Sequence, residues 1–95
     1  MKMTTLDDLE ERCRNFGWVT ERDGPARVSQ QDRSLIVCLS PSHRIVVTTD
    51  PARRGFWVVE RAPGFQGTTP AAQLERVLRV IELRADPERE HLAWA

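Results

Sequence analysis

Ninety-five residues and 10.9 kDa fit a single domain, and 40% apolar with 29% charged residues is ordinary for a globular chain. The net charge of 0 gives no global basic field of the kind that advertises nucleic-acid binding. Two cysteines build neither a disulfide-dense scaffold nor a paired-cysteine zinc site, and no run approaches the roughly 20 apolar residues of a membrane span.

The first eight residues, Met1 to Asp8, contain no apolar h-region, which predicts no signal peptide and a cytoplasmic location. A helix is predicted over 6–16. Thr5 can cap it, Asp7 and Asp8 complement its positive first turn, and Gly17 supplies a left-handed stop. Leu6, Leu9, Cys13 and Phe16 make one apolar stripe at helical spacing. Residues 18–22 read as a short strand, and Asp23-Gly24-Pro25 as a turn. Residues 27–31 read as a polar second strand at a sheet edge.

Three strands are then predicted, over 35–39, 44–49 and 56–61, all rich in β-branched or aromatic residues. The short connections between them require antiparallel neighbours. Residues 62–67 read as an irregular link. A second helix is predicted over 70–84, capped by Thr68 or Thr69 with Pro70 in its first turn. Its stripe is Leu74, Val77, Leu78, Ile81 and Ala85, while Leu83 lies almost opposite. Asp86-Pro87 ends it, leaving residues 86–95 as a short C-terminal helix or tail. The expected fold is one α+β domain over residues 1–95. It is a two-layer sandwich in which an antiparallel meander of three to five strands packs against an N-terminal and a C-terminal helix.

The order helix, strands, helix is similar to that of the double-stranded-RNA-binding module. That module opens its second helix with a lysine cluster, and here the position reads Thr69-Pro70-Ala71-Ala72-Gln73. The resemblance therefore carries element order and no function.

No catalytic, cofactor or metal motif is visible. Cys13 and Cys38 lie in apolar segments and read as structural thiols, and a Cys13–Cys38 disulfide has no support without an export signal. His43 and His91 are too far apart for a local metal motif. The acidic pairs Asp7-Asp8 and Glu10-Glu11 are explained by helix-dipole complementarity and solvation. The expectation is a non-enzyme with no cofactor and no metal.

Thirteen Arg against one Lys reads as the codon bias of a GC-rich source, actinobacterial or phage. Residues 33–69 carry five basic and two acidic groups, which leaves nucleic-acid binding by this mildly basic middle third as the alternative function. In it Arg53 and Arg54 occupy a hairpin loop.

The strands hold more apolar residues than one covered face needs. Successive side chains alternate between faces, so Leu35, Val37 and Leu39 oppose Ile36 and Cys38, and Phe56 and Val58 oppose Trp57 and Val59. Two helices cover one face. The other either docks a partner or is covered by the N-terminal hairpin or by the C-terminal tail with Leu92 and Trp94. The expected function is a non-catalytic protein-interaction module, as a homodimer or as a phage or mobile-element protein binding a host factor. The candidate surface is Trp57, Arg44, Arg61, Val46 and Val59, with Arg53 and Arg54. Trp57 is the preferred anchor over Phe56, the choice depending on strand register.

Overall fold

The computed structural model describes residues 2–29, 32–50, 52 and 55–85. In chain order the elements are α1 (Leu6–Asn15), β1 (Val19–Asp23), β2 (Ser34–Ser40), β3 (His43–Asp50), β4 (Gly55–Ala62), β5 (Phe65–Ala71) and α2 (Leu74–Ala85). The five strands form one antiparallel sheet in sequence order, β1-β2-β3-β4-β5. This is the small α+β domain that the alternation of elements implies.

Both ends of α1 follow from local chemistry. Thr5 Oγ1 accepts from the Asp8 backbone N–H at 3.3 Å, and Asp8 Oδ2 accepts from the Thr5 N–H at 3.1 Å. Two orphan donors are thus satisfied reciprocally. At the other end Gly17 takes φ 88°, a left-handed conformation that glycine adopts without a Cβ penalty. Its N–H donates to Arg14 O at 2.9 Å, and the Trp18 N–H donates to Cys13 O at 3.1 Å. This pair of bonds closes the last turn.

The core lies between the sheet and the two helices. Leu6, Leu9 and Cys13 of α1, with Met3, meet Leu74, Val77, Leu78 and Ile81 of α2, over Leu35, Val37, Ile45 and Val47 of the sheet. Phe56 and Val58 pack at its margin. Each fully buried aliphatic side chain contributes about 1.5–3 kcal/mol relative to exposure. The N-terminal segment is tied to α2 by the Met3 N–H donating to Glu75 Oε1 at 2.9 Å. Arg22 of β1 reaches α1, with Nη1 at 3.0 Å from Asp7 Oδ1 and 3.5 Å from Glu10 Oε1.

Three sequence expectations need correction. Among the described residues, 25–29 form no strand, and β1 pairs directly with β2, Val19 opposite Cys38 through Asp23 opposite Ser34. The polar 27–31 run has no apolar face with which to add to the sheet. The link over 62–67 is instead a hairpin, with Gly64 at φ 76°, leading into β5. Consequently α2 begins at Leu74, not at residue 70. Thr68, Thr69 and Pro70 belong to β5, where an edge strand tolerates proline's missing donor. With five strands, the sheet also departs from the order of the double-stranded-RNA-binding module. The predicted helix or tail at 86–95, including Leu92 and Trp94, lies outside the described residues.

Candidate interaction surface

Strand register sorts every sheet residue to one of two faces. The helix face takes Thr20 and Arg22 of β1, Leu35 and Val37 of β2, Ile45 and Val47 of β3, Phe56, Val58 and Glu60 of β4, and Thr69 and Ala71 of β5. The opposite face is covered by neither helix. Its middle row runs Glu21, Ile36, Val46, Val59, Thr68 across the five strands. One neighbouring row is Val19, Cys38, Arg44, Arg61, Gln66, and on the other side Thr48, Trp57 and Pro70 lie side by side.

The centre of this open face is therefore apolar. Ile36, Val46, Val59 and Trp57 are each half-buried, while Arg44 and Arg61 are exposed. Arg44 and Arg61 stand directly opposite one another. Like charges in that position destabilise an antiparallel pair, and among the described residues neither arginine's side chain has a hydrogen-bond or ion-pair partner. The acidic groups of the face sit elsewhere: Asp23 at the far end of β1, Asp50 at the far end of β3, and Glu21 on the β1 edge. Among the described residues, Arg44 and Arg61 stand at one end of the face and Asp50 at the other.

Of the residues singled out from sequence, Trp57, Arg44, Arg61, Val46 and Val59 come together on this face. Phe56 points to the helix side and packs against the core. Arg53 and Arg54 lie outside the described residues. Alternation also places Asp50 on the open face, by the same parity as Arg44 and Val46, although sequence reasoning did not single it out.

The thiols are separated by the sheet. Cys13 is fully buried on the helix side, where burial, with lesser repulsion from Glu10 and Glu82, pushes its pKa up to about 12. Cys38 is half-buried on the open face. Both are free, and their opposite placement rules out a bond between them. His43 is on the helix side of β3, donating to or accepting from Glu60 Oε2 at 2.7 Å, and so forms no pair with Cys38. Arg84 Nε also reaches Glu60 Oε2, at 3.1 Å. This His43–Glu60–Arg84 cluster joins β3, β4 and the end of α2 and was not foreseen, because its members are scattered along the chain. Glu60 and Arg84 edge a groove of about 230 Å³ whose apolar lining includes Val58, Phe65, Val77 and Val80. Glu60, held by two partners, acts there as a tie between helix and sheet.

Among the described residues no group of three or more His, Cys, Asp or Glu is placed to hold a metal ion, and no helix is long and apolar enough to cross a membrane. No family model matches the chain, and neither a curated protein nor a solved structure matches it significantly.

Proposed function

We propose that this chain is a non-catalytic protein-interaction module that takes its partner on the open face of the sheet. The observation that carries the proposal is the apolar block of Ile36, Val46, Val59 and Trp57 on a face that neither helix covers. Monomers rarely leave such a contiguous block without use for it. An aromatic anchor with arginines beside it is the composition of an interface centre, and Trp57 with Arg44 and Arg61 supplies it. The partner class is a protein: a second copy of the chain or a host factor of a phage or mobile element.

Nucleic-acid binding draws less support. Arg44 and Arg61 form a basic pair, but Glu21, Asp23 and Asp50 share their face and repel phosphate, and the centre between them is apolar. Phosphate-backbone binders gain affinity from many basic contacts.

Hydroxyl-radical footprinting of the full chain tests the proposal. In source-cell extract, Trp57, Val46 and Val59 are expected to be protected relative to the dilute pure protein, while Leu83, exposed on α2, reacts equally in both. Equal reactivity of the open face in both conditions contradicts the proposal. Protection by generic DNA or RNA that fades with salt replaces it with the nucleic-acid reading.

A further inference from the structure

We infer that the outer edge of β5 is a binding site for an extended, acidic and apolar peptide segment of another protein, taken up as an antiparallel sixth strand. The site is separate from the open face and stands without the reading of that face.

The main chain supplies the first argument. β5 is the last strand of the sheet, and among the described residues nothing pairs with its outer edge. Hydrogen-bonded and non-hydrogen-bonded positions alternate along an antiparallel pair. Ala62 opposite Phe65 closes the two-residue hairpin at Pro63-Gly64, and such a turn bonds its first C=O to its fourth N–H. Phe65, Gly67, Thr69 and Ala71 therefore turn their N–H and C=O groups to β4, and Gln66 and Thr68 turn theirs outward. Pro70 shares the outward parity, where its missing donor costs the sheet no bond. Native sheets blunt an open edge with charged side chains. The edge strand β1 carries Glu21, Arg22 and Asp23, whereas β5 carries no charged residue. Its only such device is Pro70, which leaves Gln66 and Thr68 free to pair.

The groove beside this edge gives the peptide's side chains their places. It holds about 230 Å³ between β5 and α2 and is lined by Val58, Phe65, Val77 and Val80. A strand added to β5 sends every second side chain to the helix side, where the groove lies. The peptide residue opposite Gly67 meets the Phe65 ring, which lies over Gly67 so closely that a Cβ there would stand 2.8 Å from its Cζ. That ring is 54% exposed and offers apolar surface to cover. α2 starts at Leu74, just past the Ala71 end of β5, and Arg84 in its last turn reaches Glu60, which pairs with Gly67. Arg76 therefore edges the Ala71 end of the groove. It is exposed, and among the described residues its side chain has no ion-pair partner, whereas Arg84 is occupied by Glu60. The segment that fits is apolar opposite Gly67 and Thr69 and acidic opposite Ala71. Main-chain bonds give affinity in such strand addition, and the alternate side-chain places give specificity.

The test titrates the isotope-labelled full chain with the end-blocked peptide Thr-Glu-Thr-Val-Thr-Leu-Thr and follows the amide NMR signals. Its order sets Glu, Val and Leu opposite Ala71, Thr69 and Gly67. Saturable binding is expected with Kd below about 1 mM, with the largest shifts at Gln66 and Thr68 and on the α2 flank at Arg76 and Val80. Methylating the peptide nitrogens of the two threonines opposite Gln66 and Thr68 removes the donors to β5 and is expected to weaken binding by about tenfold or more. Arg76→Glu is expected to weaken the peptide by about threefold and to prefer the version with Lys in place of Glu. No binding up to about 1 mM, binding that methylation leaves unchanged, or shifts confined to Val46 and Val59 on the open face overturns the inference. Shifts at Gln66 and Thr68 that grow with the concentration of the free protein also overturn it, in favour of a second copy at this edge.

Discussion

Cys13 and Cys38 report on the two sides of the sheet. Cys13 combines complete burial with a pKa pushed up to about 12, so almost none of it is thiolate near neutral pH, and the thiolate is the reactive form. Cys38 lies half-buried on the open face. In the dilute, folded protein a maleimide is expected to label Cys38 and leave Cys13 untouched until denaturant is added; labelling of both at equal rates would contradict the burial of Cys13. A second residue-scale consequence concerns acid. Backbone N–H donors of Thr4 and then Thr5 hold the Asp8 carboxyl below its ordinary value of 3.8. The folded state therefore binds that proton less readily than the unfolded chain. Its stabilising contribution is present above the ordinary carboxylate pKa and is lost as pH falls through the depressed one. Wild type is expected to lose stability over that acid range more steeply than Asp8→Asn, as measured by denaturation at pH 2 to 5, roughly the window set by a carboxylate with a lowered pKa.

At the scale of elements, α2 carries much of the core through Leu74, Val77, Leu78 and Ile81. Ile81 is fully buried, and Ile81→Ala is expected to cost about 2–5 kcal/mol, against about 5–10 kcal/mol for a domain of this size. Chemical denaturation measures it, and a loss under about 1 kcal/mol would remove α2 from the core. The cap of α1 is worth less: Thr5→Ala is expected to cost about 1 kcal/mol. The element map was legible where one signal dominated. β2, β3 and β4 announce themselves by β-branched and aromatic runs, and α1 by its cap, stripe and Gly17. β5 was hidden because Thr68-Thr69-Pro70 imitates a helix cap followed by a first-turn proline. What decides for strand is the hairpin at Pro63-Gly64 and the pairing offered by β4, Trp57 opposite Pro70 and Val59 opposite Thr68. The polar run predicted over 27–31 erred in the other direction over its described residues, 27–29, since β propensity without a face to bury does not make a strand.

For the whole molecule, the two faces of the sheet divide its labour. One holds the domain together, and the other is the surface proposed to meet a partner. That division was largely readable from parity, because side-chain alternation has a period of two and adjacent Phe56 and Trp57 must part. The register fixed which of them faces the helices. The His43–Glu60–Arg84 cluster and the Arg22 contacts to Asp7 and Glu10 were not readable, since they join residues that only the folded topology brings together.

Trp57 separates the two roles most sharply. In register it lies between Thr48 and Pro70 on the open face, a cross-strand setting worth about 0.2–1 kcal/mol to the fold. As the central aromatic of an interface it would be worth about 2 kcal/mol or more to association, roughly thirtyfold in Kd. Sedimentation of fluorescently labelled Trp57→Ala against wild type, as pure protein and in source-cell extract, with denaturation on the pure samples, is the most direct measurement. The account expects association to fall by about that factor while the unfolding midpoint barely moves. A variant that unfolds, or one that is fully folded and associates as wild type does, would contradict it.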